Sequence, residues 1–103
     1  MGHHYDKLIR DRVPEIIRRD GADPVTHVAR DDEYHAKLRE KLREEVAEFL
    51  ESGTVEELAD ILEVVYALAL ATGTASKTLD SLRARKTRAR GAFDKRIILD
   101  EIR

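Results

Sequence analysis

Hydrophobic residues recur every three or four positions over the middle of the chain and predict a long helix there. They form one stripe on the helix surface: Leu38, Leu42, Val46, Phe49 and Leu50. Asp31 or Asp32 is predicted to cap its start, because a short acidic side chain accepts hydrogen bonds from the first free backbone N–H groups. Ser52-Gly53 is a suitable end, since glycine readily adopts the left-handed conformation that closes many helices.

A second, more apolar helix is predicted to follow at once. Thr54 and Glu57 have the spacing of a capping box, which marks a helix start, and the apolar run ends near Thr72. Apolar residues occur nearly all round this helix: Leu58, Ile61, Leu62, Val64, Val65, Tyr66, Leu68 and Leu70. A helix of this kind lies at the centre of a bundle or in an interface.

The remaining predicted elements are one more long helix, one short helix and short extended ends. The long helix runs from about Ser76 to Arg90, and the short one from Pro14 to about Asp20. Extended or irregular backbone is predicted for three segments: residues 5–11, 24–28 and 93–99. The last of these is expected to be a short strand or an arm.

The pattern predicts one all-α domain over residues 1–103, since it contains no repeat, low-complexity stretch or long linker. The predicted architecture is a helical bundle of three long helices plus the short N-terminal helix. A domain this small buries a modest fraction of its surface when alone. Because one helix is also apolar nearly all round, we expect a second copy to complete the bundle.

Composition excludes several function classes. Hydrophobic residues make up 42% and charged residues 39%, with a net charge of −2, which favours neither nucleic-acid binding nor a polybasic membrane anchor. The absence of cysteine excludes disulfides, thiol nucleophiles and cysteine-ligated zinc. The longest apolar run is far shorter than a membrane span, and no signal peptide is evident, so a cytoplasmic location is expected. Residues 1–4 are assigned no function.

Carboxylates on the two central helices are candidates for a metal site. Glu45 falls within roughly 20° of Leu38 on the helical wheel, inside the apolar stripe, and Glu48 lies one turn later on the same side. On the next helix, Glu57 and Asp60 are also three residues apart. If the two helices form an antiparallel hairpin, the four carboxylates converge.

Four carboxylates in a partly dry site repel one another unless they are protonated or neutralised. A hard divalent cation solves this problem, and Mg²⁺ is the usual ion where phosphate is the other ligand, with Mn²⁺ as the alternative. Such an ion activates a water molecule for attack. Glu44 lies beside the cluster and is a candidate general base for that water.

A purely structural interpretation competes with the metal site. Acidic residues in the first turns of a helix interact favourably with its dipole, and charge runs on helices usually face solvent. Glu44 and Glu48 are also placed to pair with Lys41 or Arg43 along the surface. The position of Glu45 inside the apolar stripe is the observation that argues for the metal site.

Three blocks of the sequence resemble one enzyme family. Glu45-x-x-Glu48 followed by Glu57-Leu58-Ala59-Asp60 resembles the ExxE…ExxD signature of the MazG-like all-α nucleoside triphosphate pyrophosphohydrolases. Residues 5–17 are similar to the opening of a small single-domain, phosphoribosyl-ATP pyrophosphohydrolase-like branch, and residues 86–99 to its ending. One departure is the interval of only eight residues between the two halves of the signature, which leaves little room for a loop that closes over a base.

The resemblance implies that Glu45, Glu48, Glu57 and Asp60 are the Mg²⁺ ligands. It also implies hydrolysis of a nucleoside triphosphate between the α- and β-phosphates, with non-standard nucleotides removed in house-cleaning as one class of substrate. Members of the family are homodimers or homotetramers. Two alternatives stay open: phosphoribosyl-ATP hydrolysis in histidine synthesis, and a non-catalytic helical dimerisation module that binds nucleotide without turnover.

Positive groups besides the metal are needed for the charge that builds on the leaving phosphates. Lys86 and Arg90, four residues apart on the last helix, are the first candidates, followed by Lys7 and Arg10 of the N-terminal block. A basic helix suggests nucleic acid as well, but the aromatic residues that stack on single strands are missing. His27 and His35 lack the spacing of a metal pair, and we expect a solvent or core role for both.

Overall fold

The computed structural model describes residues 4–103, and the helices it contains confirm the all-α prediction. They are α1 (Val13–Arg19), α2 (Asp31–Ser52), α3 (Val55–Ala71) and α4 (Ser76–Arg90). The described residues contain no strand, so the segments at 24–28 and 93–99 are irregular or extended. Residues 1–3, to which no function was assigned, lie outside the described part of the chain.

The helices α2 and α3 form a hairpin around a two-residue turn. Gly53 ends α2 in the left-handed conformation, with φ of 67°, and its N–H donates to the Phe49 carbonyl at 2.7 Å. This backbone conformation is costly for residues with a Cβ, which explains the glycine. Leu38 on α2 and Val64 on α3 are the buried apolar residues in the described chain, at 2% and 8% exposure.

The predicted caps of these two helices are wrong in detail. Arg30, not Asp31 or Asp32, occupies the N-cap position of α2, and both aspartates lie in the first turn, where they interact with the helix dipole. Thr54 is the N-cap of α3, but its side chain makes no cap hydrogen bond. Its hydroxyl lies 3.4 Å from the Ser52 hydroxyl instead. The Thr54 hydroxyl, which a capping box would have required, therefore interacts within the turn instead.

The helix α4 leaves α3 at a bend of 108° and contacts it on the side away from α2. At about 100° per residue, Leu62 and Tyr66 lie roughly 160° round α3 from Val64. Both residues line a groove of about 200 Å³ that α4 closes with Leu79. Within residues 4–103 no close backbone approach joins α4 to α2. A single chain therefore forms a hairpin with an appended helix, and not the closed bundle of three long helices.

The single chain is extended and leaves apolar surface uncovered. Its radius of gyration is 18.1 Å, whereas a compact chain of this length has about 13 Å. Its accessible area is 9588 Å², whereas a compact monomer of this mass has about 5,900 Å². Large apolar side chains stay exposed on the hairpin: Val46, Leu50, Val55, Leu58, Leu62 and Leu70.

No single helix in the described part of the chain combines the length and the apolar character that a membrane crossing requires. The bent pair of α3 and α4 passes that test on length and composition when the two are taken together.

Candidate metal centre

The α2–α3 hairpin brings three of the four predicted carboxylates together. One oxygen from each of Glu45, Glu57 and Asp60 lies within 4.8 Å of the other two. Glu57 and Asp60 fall within about 40° of Val64 on the α3 wheel, so they lie on the side that faces α2. The turn at Gly53 sets the register that places them opposite Glu45. Helical periodicity and the tight turn together build the cluster.

Glu45 is the buried charged residue of the described chain, at 7% exposure. The pKa of its carboxyl group is raised above the ordinary value, first by burial and next by the neighbouring Glu48 carboxylate. Asp60 raises this pKa further, while the ammonium group of Lys41 acts in the opposite direction. Burial disfavours the ionised form because low-dielectric surroundings replace water. The prediction that Glu45 faces inward is confirmed.

Two oxygens of the cluster are buried without a hydrogen-bond partner among residues 4–103: Oε2 of Glu45 and Oε2 of Glu57. An unsatisfied buried acceptor costs about 1–3 kcal/mol, and more when it is charged. Opposite ligands of an octahedral Mg²⁺ ion lie about 4.2 Å apart, since each Mg–O bond is about 2.1 Å. The three oxygens lie within 4.8 Å of one another, a limit somewhat wider than that distance, so the carboxylates would draw together around such an ion. The donor set and its unused acceptors fit a hard divalent cation.

The other two acidic candidates lie at the edge of the cluster. Glu48 is exposed and outside the group of three, although it is near enough to raise the pKa of Glu45. Glu44 is half-buried and pairs with Lys7 at 3.3 Å and with Lys41 at 3.9 Å. These pairs fix the position of Glu44 beside the cluster.

Basic side chains partly neutralise the cluster. The ammonium group of Lys41 lies 3.5 Å from Oε1 of Glu45, and Nη2 of Arg10 donates to Oδ1 of Asp60 at 2.8 Å. Sequence spacing predicted Lys41 only as a surface partner of Glu44 or Glu48, and its contact with Glu45 was not predicted. Its position four residues before Glu45 was the available signal. Arg10 was expected at the substrate phosphates, and the structure places it against a carboxylate.

The basic candidates on α4 are not at the cluster. Lys86 and Arg90 line a separate groove of about 350 Å³ together with Arg83, Thr87 and Phe93. No residue of α2 or α3 lines this groove. Because α4 contacts the side of α3 opposite α2, these cations lie away from the carboxylates of their own chain. The separation of these cations from the carboxylates could not be predicted from the sequence, because helical periodicity does not specify how α4 crosses α3.

Neither predicted histidine contributes to the cluster. The His27 ring lies 3.0 Å from both carboxylate oxygens of Glu33, in an exposed contact. The His35 ring is half-buried and meets the Tyr34 ring edge to face, with 6.4 Å between the ring centres. Both arrangements agree with the expected solvent or core role.

Comparisons with known proteins give similarity over part of the chain. A Mycolicibacterium smegmatis protein described as uncharacterized is 52% identical over 48 residues. These residues are 47% of this chain and 49% of that protein, so the chain matches about half the length of this relative. Neither a protein-family model nor a solved structure matches the chain.

Proposed function

We propose that the protein is a Mg²⁺-dependent nucleotide pyrophosphohydrolase. It cleaves a nucleoside triphosphate, or a modified one, between the α- and β-phosphates and releases the monophosphate and pyrophosphate. The resemblance of the acidic signature and the two flanking blocks to the MazG-like family supplies the reaction. The observation that carries the proposal is Glu45, a buried carboxylate with one oxygen unsatisfied, in a cluster with Glu57 and Asp60.

The acidic cluster carries a free-energy cost when no cation is bound. Most charged side chains on a helix surface face solvent. The Glu45 carboxylate instead lies in the hairpin interior beside two other acidic groups. A buried carboxylate without adequate compensation costs several kcal/mol. The single Lys41 contact leaves Oε2 of Glu45 unsatisfied. A divalent cation would satisfy that oxygen and remove the repulsion between the carboxylates.

Each residue of the centre then has a role. Glu45, Glu57 and Asp60 would hold the ion, with Glu48 as the fourth ligand by resemblance. When bound, Mg²⁺ neutralises the phosphates and activates a water molecule for attack. Glu44, held in place by two lysines, accepts the proton from that water.

We further propose that the working unit is a homodimer or homotetramer. The chain exposes more area than a compact monomer of its mass, which is expected of a protomer that buries surface against other copies. The exposed apolar side chains of α3 lie mainly on the side away from α2, next to the region covered by α4. In such an assembly we assign Lys86 and Arg90 to the leaving phosphates of a site in another copy, since they lie away from their own cluster.

Pyrophosphate release from a panel of substrates tests the proposal. The panel contains standard and modified nucleoside triphosphates and phosphoribosyl-ATP, each with Mg²⁺. Release from triphosphates is the expected result, and release from phosphoribosyl-ATP alone would place the protein in histidine synthesis. If nucleotides bind but no pyrophosphate is released at high protein concentration, the proposal of an enzyme would be refuted. The protein would then be a non-catalytic nucleotide-binding module.

Matched variants tie the activity to the centre. Asp60→Asn and Glu57→Gln are expected to lower kcat at least 100-fold, because each removes a charged metal ligand. Glu63→Gln on the same helix is the control, since this exposed side chain lies outside the acidic cluster. Helical content measured by circular dichroism should be unchanged in all three. Full activity in Asp60→Asn would refute the ligand assignment.

A further inference from the structure

The non-helical segment before α1, residues 4–12, is attached to the hairpin by charged side chains. We call it the N-terminal segment. Nζ of Lys37 donates to the Asp6 carbonyl at 2.7 Å, Lys7 pairs with Glu44, and Arg10 pairs with Asp60. The helix α1 that follows makes no close backbone approach to the long helices. These polar contacts hold the segment against the hairpin, together with the half-buried side chains of Leu8 and Ile9.

Two of these contacts end at the candidate metal centre. Arg10 bonds Asp60, a member of the acidic cluster, and Lys7 bonds Glu44 beside it. Arg10 is thus the one residue that joins the N-terminal segment directly to the cluster among the described contacts. Its partner lies 50 positions away in the sequence, so sequence spacing gives no sign of this link.

The cations at the cluster each occupy one oxygen of a carboxylate and leave the other free. Lys41 contacts Oε1 of Glu45, whose Oε2 is buried and unsatisfied. Arg10 contacts Oδ1 of Asp60, and no hydrogen bond from residues 4–103 occupies Oδ2. A carboxylate held by one oxygen can present the other to a metal ion. Such outer contacts fix the orientation of metal ligands in many proteins.

We propose that Arg10 is a positioning residue of the metal centre, which holds Asp60 by Oδ1 so that Oδ2 faces the cation. This proposal rests on the proposed metal site. The Arg10–Asp60 bond persists when the cation binds, because the two use different oxygens of the same carboxylate. Arg10 is about half exposed, at 56% for its side chain, so further guanidinium donors remain available beside the site.

One consequence is reciprocal coupling between metal binding and the N-terminal segment. If the Arg10–Asp60 bond favours the metal-binding orientation, bound metal must favour that bond to the same extent. The segment is then held more firmly when the metal is present. An alternative is a competing counter-ion: Arg10 would leave Asp60 when metal binds, and the segment would loosen. The two cases predict opposite signs in both measurements below.

The first measurement is Mn²⁺ affinity of the full chain, followed by electron paramagnetic resonance. Arg10→Ala should weaken Mn²⁺ binding about 10-fold, the lower end for loss of an outer contact to a ligand. Arg10→Lys should recover most of this loss, because an ammonium group can also donate to Oδ1. Arg12→Ala is the control, an exposed arginine of the same segment outside the observed ion pairs, and should bind as the unaltered chain does. Unchanged or tighter binding in Arg10→Ala would overturn the proposal.

The second measurement is limited trypsin digestion with and without Mn²⁺. Mn²⁺ should slow cleavage after Lys7 and Arg12 in the unaltered chain and have no such effect in Arg10→Ala. Cleavage at Lys95 and Arg96, in the exposed C-terminal tail, is the internal control and should not change. Faster cleavage after Lys7 on adding Mn²⁺ would identify a counter-ion that is displaced, and would overturn the proposal.

The outcomes separate this inference from the proposed function. Failure of the unaltered chain to bind Mn²⁺ would overturn the metal site and this inference together. Normal binding by the unaltered chain and by Arg10→Ala would overturn the role of Arg10 alone. Circular dichroism of each variant excludes loss of the helices as the cause of weaker binding.

Discussion

At the residue scale, Glu45 carries a free-energy cost that the fold itself does not remove. Its carboxylate is buried, has one unsatisfied oxygen and lies beside other acidic groups. Glutamine has nearly the same shape and no charge, and Lys41 would keep its contact with Glu44, so we expect the hairpin to be more stable with glutamine. A residue that lowers stability where several carboxylates converge is typical of a functional site.

This cost gives a pH dependence whose sign follows from the raised pKa of Glu45. Between the ordinary glutamate pKa and this raised value, the folded chain binds more protons than the unfolded chain. Without metal, the contribution of Glu45 to stability is therefore present at lower pH and is lost as the pH rises through that interval. Chemical denaturation over this range measures it, with the free energy of unfolding as the readout.

Glu45→Gln is the variant that isolates this effect. At neutral pH without metal it should be more stable than the unaltered chain, by about 1 kcal/mol, and its stability should lack the fall with pH. Glu51→Gln, at an exposed position of α2, should behave as the unaltered chain. Equal pH profiles for Glu45→Gln and the unaltered chain would show that Glu45 does not carry the cost.

At the element scale, the bounds of the helices could be predicted from the sequence because period and glycine stops are local signals. The side-chain caps could not be predicted in this way, because the Thr54 hydroxyl interacts with the Ser52 hydroxyl and not with the helix backbone. The inward position of Glu45 followed from the apolar stripe of α2. The exposure of Glu48 could not be predicted from the stripe, because a side chain at its edge can face either the hairpin interior or solvent.

The path of α4 and of the N-terminal segment lies beyond local signals. A basic stripe on α4 predicts a charged face, but the bend after Ala71 decides what that face meets. The contact of Arg10 with Asp60 depends on how an irregular segment crosses two helices. Both features are tertiary, and no periodic pattern specifies them.

The turn at Gly53 is the element-scale test of the hairpin. Gly53→Ala should lower the free energy of unfolding by about 1 kcal/mol, because its φ of 67° places a Cβ in a strained conformation. Thr54→Ala should cost less than about 0.5 kcal/mol, since its side chain makes no cap hydrogen bond. Thermal unfolding of both variants measures the difference. An equal loss in the two would contradict this account of the turn.

At the scale of the whole molecule, the chain has too little core for its size. Within the described residues the buried apolar side chains are Leu38 and Val64. Apolar side chains on the hairpin remain exposed, and the overall dimensions are 61 × 31 × 24 Å. Burial of apolar surface is the main favourable term in folding. We therefore expect association to supply the burial that a single chain lacks.

Analytical ultracentrifugation tests this expectation. The unaltered chain should sediment as a dimer or tetramer of its 11.8 kDa protomer. Leu70→Glu, which places a charge at an exposed apolar position of α3 outside the groove closed by α4, should shift the population toward monomer and lower the melting temperature. Val25→Glu, in an irregular segment with 96% exposure, is the matched control and should leave the assembly intact. A monomeric unaltered chain at micromolar concentration would contradict the proposed assembly.

The most direct test of the central claim is ³¹P nuclear magnetic resonance of a nucleoside triphosphate incubated with the protein and Mg²⁺. We expect signals of the nucleoside monophosphate and pyrophosphate to appear together, and only when the metal is present. Asp60→Asn should abolish both signals. Orthophosphate with nucleoside diphosphate would mean cleavage of the wrong bond, and an unchanged spectrum for every triphosphate tried would contradict the proposed hydrolysis.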